Sequence, residues 1–344
     1  MRLLIEILHP AHVHFFRNFV AEMESRGHEV MLTVRDKDVT LDLLEEYGLE
    51  YRVLSAQAVG SVGLARELAS RVNSLSTIVK QYRPDVLTGI MGPTIVLAGR
   101  RRVPTVVFYD TEFATRTNRW VYRLADVVIT PDSYQDPVPG HHVTYPGYHE
   151  LAYLHPSRFA PDPDRVRAAG QAPEEPFALV RFVSWDASHD VGEIALTATQ
   201  KRALVERLEV HGQVVISSEQ PLPADLERYS WRGPRRDIHH VIAQAQLVVG
   251  ESATMASEAA VLGTPAVYIA KTGRGYTDDQ EKRYGLVRHI QPTDFPAALD
   301  AVDRYLAAPE AEIAGDHERL LAERIDVTAW MTDWFEGEEF RIPR

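Results

Sequence analysis

The sequence predicts an α/β protein of two domains, each built on a parallel sheet. Three observations carry this. Short apolar runs alternate with amphipathic stretches of helical periodicity, which is the pattern of βαβ units. The pattern pauses in a segment rich in proline and charge, from about Pro146 to Pro176, and then restarts. A chain of 344 residues also suits two ordinary domains better than one core. The expected division is 1–148, 149–326, and a C-terminal helix at 327–344 that returns to the first domain.

In the first half, Leu3 to Leu8 reads as a buried strand, His9 to His14 as a polar turn, and Phe15 to Arg26 as an amphipathic helix stopped at Gly27. Glu29 to Val34 is a strand, Thr40 to Tyr47 a helix closed by Gly48, and Tyr51 to Leu54 a short strand. Leu64 to Gln81 is a longer helix that ends before Arg83-Pro84. Asp85 to Thr88, Thr105 to Tyr109 and Val127 to Thr130 complete the strands.

The second half repeats the plan. Its strands are Phe177 to Val183, Gln213 to Ser217, Leu247 to Val249 and Ala266 to Ile269, and its helices are Thr199 to Leu208, Ile238 to Ala245 and Met255 to Leu262. The tail from Val327 to Phe340 carries Trp330, Met331, Trp334 and Phe335, an apolar helix face that needs something to pack on. Each half is thus Rossmann-like. Ligands of open α/β sheets sit beyond the carboxyl ends of the strands, so the loops after strands are where chemistry is expected, in a cleft where the two sheets face each other.

Composition narrows the function classes. The formal net charge is −12, and no basic stripe is present to neutralise nucleic-acid phosphates, so a nucleic-acid partner is not expected. There is no cysteine, which removes disulfides, thiolate nucleophiles and cysteine-held metals and suits a reducing cytoplasm. The N-terminus enters a strand pattern directly, without signal-peptide architecture. No apolar run approaches the ~18–20 residues needed to cross a bilayer, so membrane contact, if any, is expected to be peripheral.

The most informative segment runs from Gly250 to Ala266. A strand ends at Gly250, and the small residues Ser252, Ala253 and Thr254 open a helix whose first N–H groups and positive dipole end make an anion site. Small side chains admit a diphosphate to the backbone, with Gly250 at the turn and Met255 in the first helical turn. Glu258 lies one turn further in, within reach of a ribose diol; the alternative is an ordinary helix start with a solvent-facing glutamate. In the N-terminal half, His12 and His14 follow the first strand as acid–base or acceptor-side candidates, or as caps of the first helix. Asp110 and Glu112 project from the loop after another strand, either for acid–base work or as structural partners of Arg116 or Arg119. Arg181 offers a bidentate phosphate fork, with Ser184 beside it, and His189 with Asp190 an oriented acid–base pair; the alternatives are a buried structural arginine and a surface His-Asp. Gly273 to Gln280 reads as a flexible polar loop. No second His/Asp cluster stands at ligand spacing, so neither a metal nor another cofactor is expected.

The segment Ser252 to Pro265 resembles the second-domain signature shared by non-hydrolysing UDP-N-acetylglucosamine 2-epimerases and lipid II-forming N-acetylglucosaminyltransferases. The resemblance implies that Ser252, Ala253 and Thr254 hold a donor diphosphate and Glu258 the ribose. His9 to Phe16, followed by Arg26-Gly27-His28-Glu29-Val30, is similar to the first βα unit of the transferases, with His12 at the loop histidine and Pro10 and Ala11 where the family has glycines. Tyr109 to Arg119 resembles the epimerase stretch in which Glu112 is catalytic and Arg116 follows. The epimerases also carry an acid after the preceding strand, where this chain reads Gly89-Ile90-Met91-Gly92-Pro93-Thr94. In related enzymes an acid or amide at Asp279 and Gln280 contacts sugar hydroxyls.

The opening Pro10 to Phe16, the Asp110-Thr111-Glu112 loop, the stretch Arg181 to Trp185, the turn Ser217 to Glu219 and the helix Ser252 to Glu258 together, over nearly the whole length of the chain, resemble a prokaryotic family called domain of unknown function 354, which implies the GT-B fold. The expectation is a metal-independent glycosyltransferase that takes a UDP-sugar, such as UDP-N-acetylglucosamine, and a sugar or lipid-linked acceptor. It would work in the cytoplasm or at the inner membrane face. The alternatives are a 2-epimerase, epimerising or hydrolysing, and a nucleotide-sugar-binding module without catalysis.

Overall fold

The computed structural model describes residues 1–337 except 38, 101–102, 113–114, 184–194 and 219, and it leaves out the side chains of 61, 115 and 116. The chain forms two compact units, Met1–Arg158 with the tail from Ile325, and Phe159–Arg324.

The first unit opens with β1 (Arg2–Ile7), α1 (Pro10–Ser25), β2 (Glu29–Asp36), α2 (Thr40–Glu46), β3 (Tyr51–Ala56) and α3 (Gly60–Tyr82). It continues with β4 (Val86–Ile90), α4 (Pro93–Gly99), β5 (Thr105–Phe108), α5 (Thr115–Leu124), β6 (Val127–Pro131), β7 (His142–Tyr145) and the short α6 (Leu151–Leu154). All seven strands are parallel in the order β3-β2-β1-β4-β5-β6-β7. The order reverses between β1 and β4, so the loops after these two strands flank the crevice where such sheets bind ligands.

The second unit contains α7 (Pro163–Ala168), β8 (Phe177–Phe182), α8 (Ala198–Glu209), β9 (Gln213–Ser218), α9 (Ile238–Gln244), β10 (Leu247–Gly250) and α10 (Ala253–Leu262). β11 (Ala266–Ile269), α11 (Gly275–Tyr284), β12 (Val287–Ile290), α12 (Phe295–Ala307) and α13 (Glu310–Glu323) follow. Its parallel sheet runs β12-β11-β10-β8-β9, with the reversal between β8 and β10. The final helix, α14 (Val327–Glu336), belongs to the first unit.

Both sheets are sandwiched by helices. On one face of the first sheet Leu4, Leu87 and Val107 meet Leu75 and Val79 of α3 and Ile95 of α4. On the other, Phe15, Phe16 and Phe19 of α1 form an aromatic layer with Phe108 and with Phe335 of α14. The second core joins Val180, Phe182, Ile216, Val249 and Val267 to Leu204 of α8 and Val302 of α12.

Four features differ from the sequence reading. The turn expected at His9 to His14 is already helix, because Pro10 at the first helical position and His9 as N-cap start α1 early. Gly273 to Gln280 is not a loop: α11 begins at Gly275, where the Thr277 hydroxyl caps the Arg274 N–H at 3.0 Å. The strands β7 and β12 do not stand out because polar residues interrupt them, His142 and Thr144 in one and Arg288 and His289 in the other, where the equally short β5, β10 and β11 are largely apolar. The unit boundaries fall after Arg158 and Arg324 in place of 148 and 326, since α6 packs on α1 and α14. There the Ala152 carbonyl accepts hydrogen bonds from Asn18 Nδ2 (3.0 Å) and Thr328 Oγ1 (2.7 Å), and Arg158 pairs with both Glu22 (2.6 Å) and Asp326 (2.7 Å). Among the described residues no helix is long and apolar enough to cross a membrane.

Met331, Trp334 and Phe335 of α14 are buried against this unit. Phe335→Ala is expected to destabilise it by about 3 kcal/mol through lost burial and a residual cavity. Urea denaturation followed by tryptophan fluorescence measures this; a loss under about 1 kcal/mol would mean that α14 is not integral to the core.

Candidate functional site

At the carboxyl end of β1, the His9 ring caps α1 by accepting the Ala11 N–H at 3.2 Å. One turn on, His12 is buried, and its Nδ1 accepts the Leu8 N–H at 3.2 Å. Burial, together with the neighbouring His9, pushes the His12 pKa well below the usual histidine range. The ring is therefore neutral, and with Nδ1 accepting, its proton sits on Nε2. His12 is thus a hydrogen-bond donor in this state.

Asp110 follows β5. It accepts the Thr111 hydroxyl at 2.9 Å and lies 3.1 Å from Nδ1 of His149. Burial raises its pKa, but the charge and hydrogen bond of His149 and the hydrogen bond of the Thr111 hydroxyl outweigh it and hold the carboxyl at about 2. Asp110 therefore stays ionised, and its side chain keeps 24% of its surface open to solvent.

His149 was missed by the sequence reading. It stands in the turn after β7, with its ring 4.3 Å from that of Phe15, and its Nε2 is buried with no hydrogen-bond partner among the described residues. The only available signal was its place after a strand whose polar residues, His142 and Thr144, hide it from a search for apolar runs. His12, Asp110 and His149 thus converge from the ends of β1, β5 and β7. Among the described residues no three His, Asp or Glu side chains form a metal-holding group.

The structure separates the other expected partners. On a helix, residues two apart point about 200° from each other, and His14 accordingly faces away from His12. It stacks on Tyr153 with centroids 5.4 Å apart and lies 3.3 Å from the Tyr47 hydroxyl. Glu112 accepts the Gln135 N–H at 3.2 Å, whereas Asp110 is held by Thr111 and His149. The Arg116 side chain lies outside the described residues. At the epimerase acid position, Met91 (φ 70°) and Gly92 (φ 56°) make a left-handed turn, and the Tyr109 hydroxyl donates to the Met91 carbonyl.

In the second unit, the β10–α10 turn lies at the sheet's reversal point. Gly250 passes so close to β8 that a Cβ would collide with the Arg181 carbonyl. Ser252 is the N-cap of α10, accepting the Met255 N–H at 3.3 Å, so that N–H is committed and the Met255 side chain is buried. Ala253 and Thr254 open the helix, and first-turn N–H groups have no intrahelical acceptor. Thr254 and Glu258, four residues apart, share a helix face. Glu258 does not face solvent: it is 4% exposed, and its Oε1 accepts from His239 Nε2 at 2.9 Å.

Glu251, not singled out from the sequence, is a buried staple. It pairs with the wholly buried Lys201 at 3.1 Å and accepts the N–H groups of Val183 (3.2 Å) and Leu196 (3.0 Å). Arg181 donates to Ser217 Oγ of the neighbouring strand at 2.9 Å. Ser184 and His189 lie outside the described residues. Asp279 and Gln280 are engaged in helix packing: Gln280, fully buried, donates to Ser257 Oγ at 2.8 Å, and Asp279 pairs with Arg324.

Residues 1–137 match the family model described as "Protein of unknown function (DUF354)". Over 288 residues the chain is 22% identical to the UDP-N-acetylglucosamine–N-acetylmuramyl-(pentapeptide) pyrophosphoryl-undecaprenol N-acetylglucosamine transferase of Lactococcus lactis subsp. cremoris, which spans 76% of this chain and 75% of that protein. Among solved structures, spinosyn rhamnosyltransferase SpnG complexed with thymidine diphosphate superimposes with a TM-score of 0.66 at 16% identity, covering 98% of this chain and 100% of the other. The UDP-GlcNAc 2-epimerase from Neisseria meningitidis bound to UDP-GlcNAc gives 0.64 at 11% identity, covering 96% and 98%. What these structures share with the chain is the fold, and that fold is GT-B.

A second unforeseen acid lies in β1. Glu6 is 1% exposed, and burial raises its pKa from 4.5 to about 7 against the opposing influence of Arg71, Thr94 and Arg35. Between those two values the folded chain keeps a proton that the unfolded chain has released, so stability falls as pH rises through this window. Glu6→Gln removes the titration and is expected to gain about 3 kcal/mol on the wild type between pH 4.5 and 8. Urea melts of both proteins at the two pH values test this; an unchanged difference would refute it.

Proposed function

From a chain whose first 137 residues match the DUF354 family and whose two units make a GT-B fold, we propose a metal-independent glycosyltransferase with a UDP-sugar donor. The observation that carries the reading is the turn from Gly250 to Glu258: a helix opened by small residues at the sheet's reversal point, with a carboxylate on the face of Thr254. The N-terminus of α10 stabilises the departing diphosphate, whose charge grows as the anomeric C–O bond breaks. Glu258 accepts the ribose hydroxyls.

The acceptor hydroxyl belongs to the first unit. Ionised Asp110 accepts its proton, which a carboxyl of such low pKa passes on to water, while the neutral His12 donates from Nε2 to an acceptor oxygen. The transferase relative is named for UDP-N-acetylglucosamine and a lipid-diphosphate-linked sugar, which supports a role in glycan or glycolipid assembly, with peripheral membrane contact where the acceptor is lipid-linked.

Proton NMR of the protein with UDP-N-acetylglucosamine and no acceptor tests the reaction class. A persistent donor is expected, and conversion to the 2-epimer would overturn the transferase reading in favour of an epimerase. Glu258→Ala is expected to weaken UDP about tenfold, the loss of one hydrogen bond to a charged group; unchanged affinity by calorimetry would remove the ribose assignment. Asp110→Asn is expected to lower turnover at least a hundredfold with the fold retained. Turnover within threefold of wild type would exclude Asp110 from the chemistry.

A further inference from the structure

We propose that His239 is the positioning residue for Glu258, setting the orientation of the carboxylate that reads the donor ribose; the inference rests on the donor-site reading above. His239 is 1% exposed on α9, and its Nε2 meets Glu258 Oε1 at 2.9 Å. A buried carboxylate without such a partner is costly, and a free glutamate side chain samples several rotamers. The imidazole N–H removes both difficulties. A carboxylate has about four lone-pair sites, so an N–H on Oε1 does not by itself exclude a diol from the group. The arrangement parallels outer-shell groups that orient metal ligands: the second group never touches the ligand but determines how the first one points.

The helix itself does not depend on this bond. α10 is anchored by Gln280 on Ser257 Oγ (2.8 Å) and by His317 on the Val261 carbonyl (2.8 Å), while the Thr264 hydroxyl just beyond it donates to the Ile242 carbonyl of α9 (2.8 Å). The hydrogen bond from His239 falls on the Glu258 side chain and not on the backbone of α10. Its ring is in turn held edge-on by Phe159, with centroids 6.2 Å apart at 83°. The next residue provides an internal comparison. His240 also packs on Phe159, at 4.7 Å, but its Nδ1 accepts the Asp162 N–H at 3.0 Å, a tie to the start of the unit and not to α10.

The test compares UDP with 2′-deoxy-UDP by calorimetry on the full chain. The ratio of their affinities isolates the 2′-hydroxyl contact from phosphate and base contacts. Wild type is expected to favour UDP about tenfold, the contribution of one hydrogen bond to a carboxylate. His239→Ala should bring the ratio to within about twofold of unity, with 2′-deoxy-UDP affinity unchanged. His239→Gln, whose amide N–H reaches the place of Nε2, should restore most of the preference. His240→Ala should keep the full ratio even if its melting temperature falls.

A preserved ratio in His239→Ala, alongside a collapsed ratio in Glu258→Ala, would overturn this inference and leave the ribose assignment intact. A ratio unchanged in Glu258→Ala would overturn both. If His239→Ala does not fold, a ratio in His239→Gln no better than that of Glu258→Ala would likewise count against the proposal.

Discussion

The second unit depends on one buried carboxylate. Glu251 follows directly on β10, where a side chain cannot escape to water, and its negative charge is met by Lys201 and by two backbone N–H groups. Those partners lie at the end of β8 and around the start of α8. One residue therefore joins the strand on each side of the sheet's reversal to the turn that opens α10. Removing either charge would strand the other in a dry interior, the situation in which buried ion pairs matter most. The turn that opens α10 is thereby tied to the end of β8 and the start of α8.

The same economy governs the first unit. Asp110 and His149 satisfy each other at the edge of an aromatic layer, and His12 satisfies a strand-end N–H through its ring. Each group has a structural duty on one side and a chemical capability on the other. Asp110 stays ionised because His149 and Thr111 surround it with donors; His12 stays neutral because burial and His9 oppose its charging. Glu6, a few residues before His12 on β1, shows the opposite case: its positive neighbours do not offset the loss of water, and its proton is retained to about neutral pH.

The residues that could be read correctly from the sequence were those whose role is local. Small residues after Gly250 and the cap at Ser252 follow from helix-start chemistry, and the alternating strands follow from periodicity. What failed depended on direction. His12 and His14 looked equivalent as neighbours in a turn, and a proline at the first helical position turned them to opposite faces. Asp110 and Glu112 looked like a pair, yet they are drawn apart by His149 and by the Gln135 N–H. Asp279 and Gln280 looked like free polar groups, but α11 begins early enough to bury Gln280 against Ser257.

By itself, then, the sequence determined the class of the protein: strand and helix periods are written in runs of a few residues, and two successive sets of them require two parallel sheets. It also determined where one helix would start after a strand end, because that follows from the small residues that open it. Only the tertiary structure decided which charges meet. His239 and Glu258 lie on different helices, and His149 lies far along the chain from Asp110. No local pattern encodes such pairs, since they form only when separate elements pack and the loss of water forces each buried charge to find a partner.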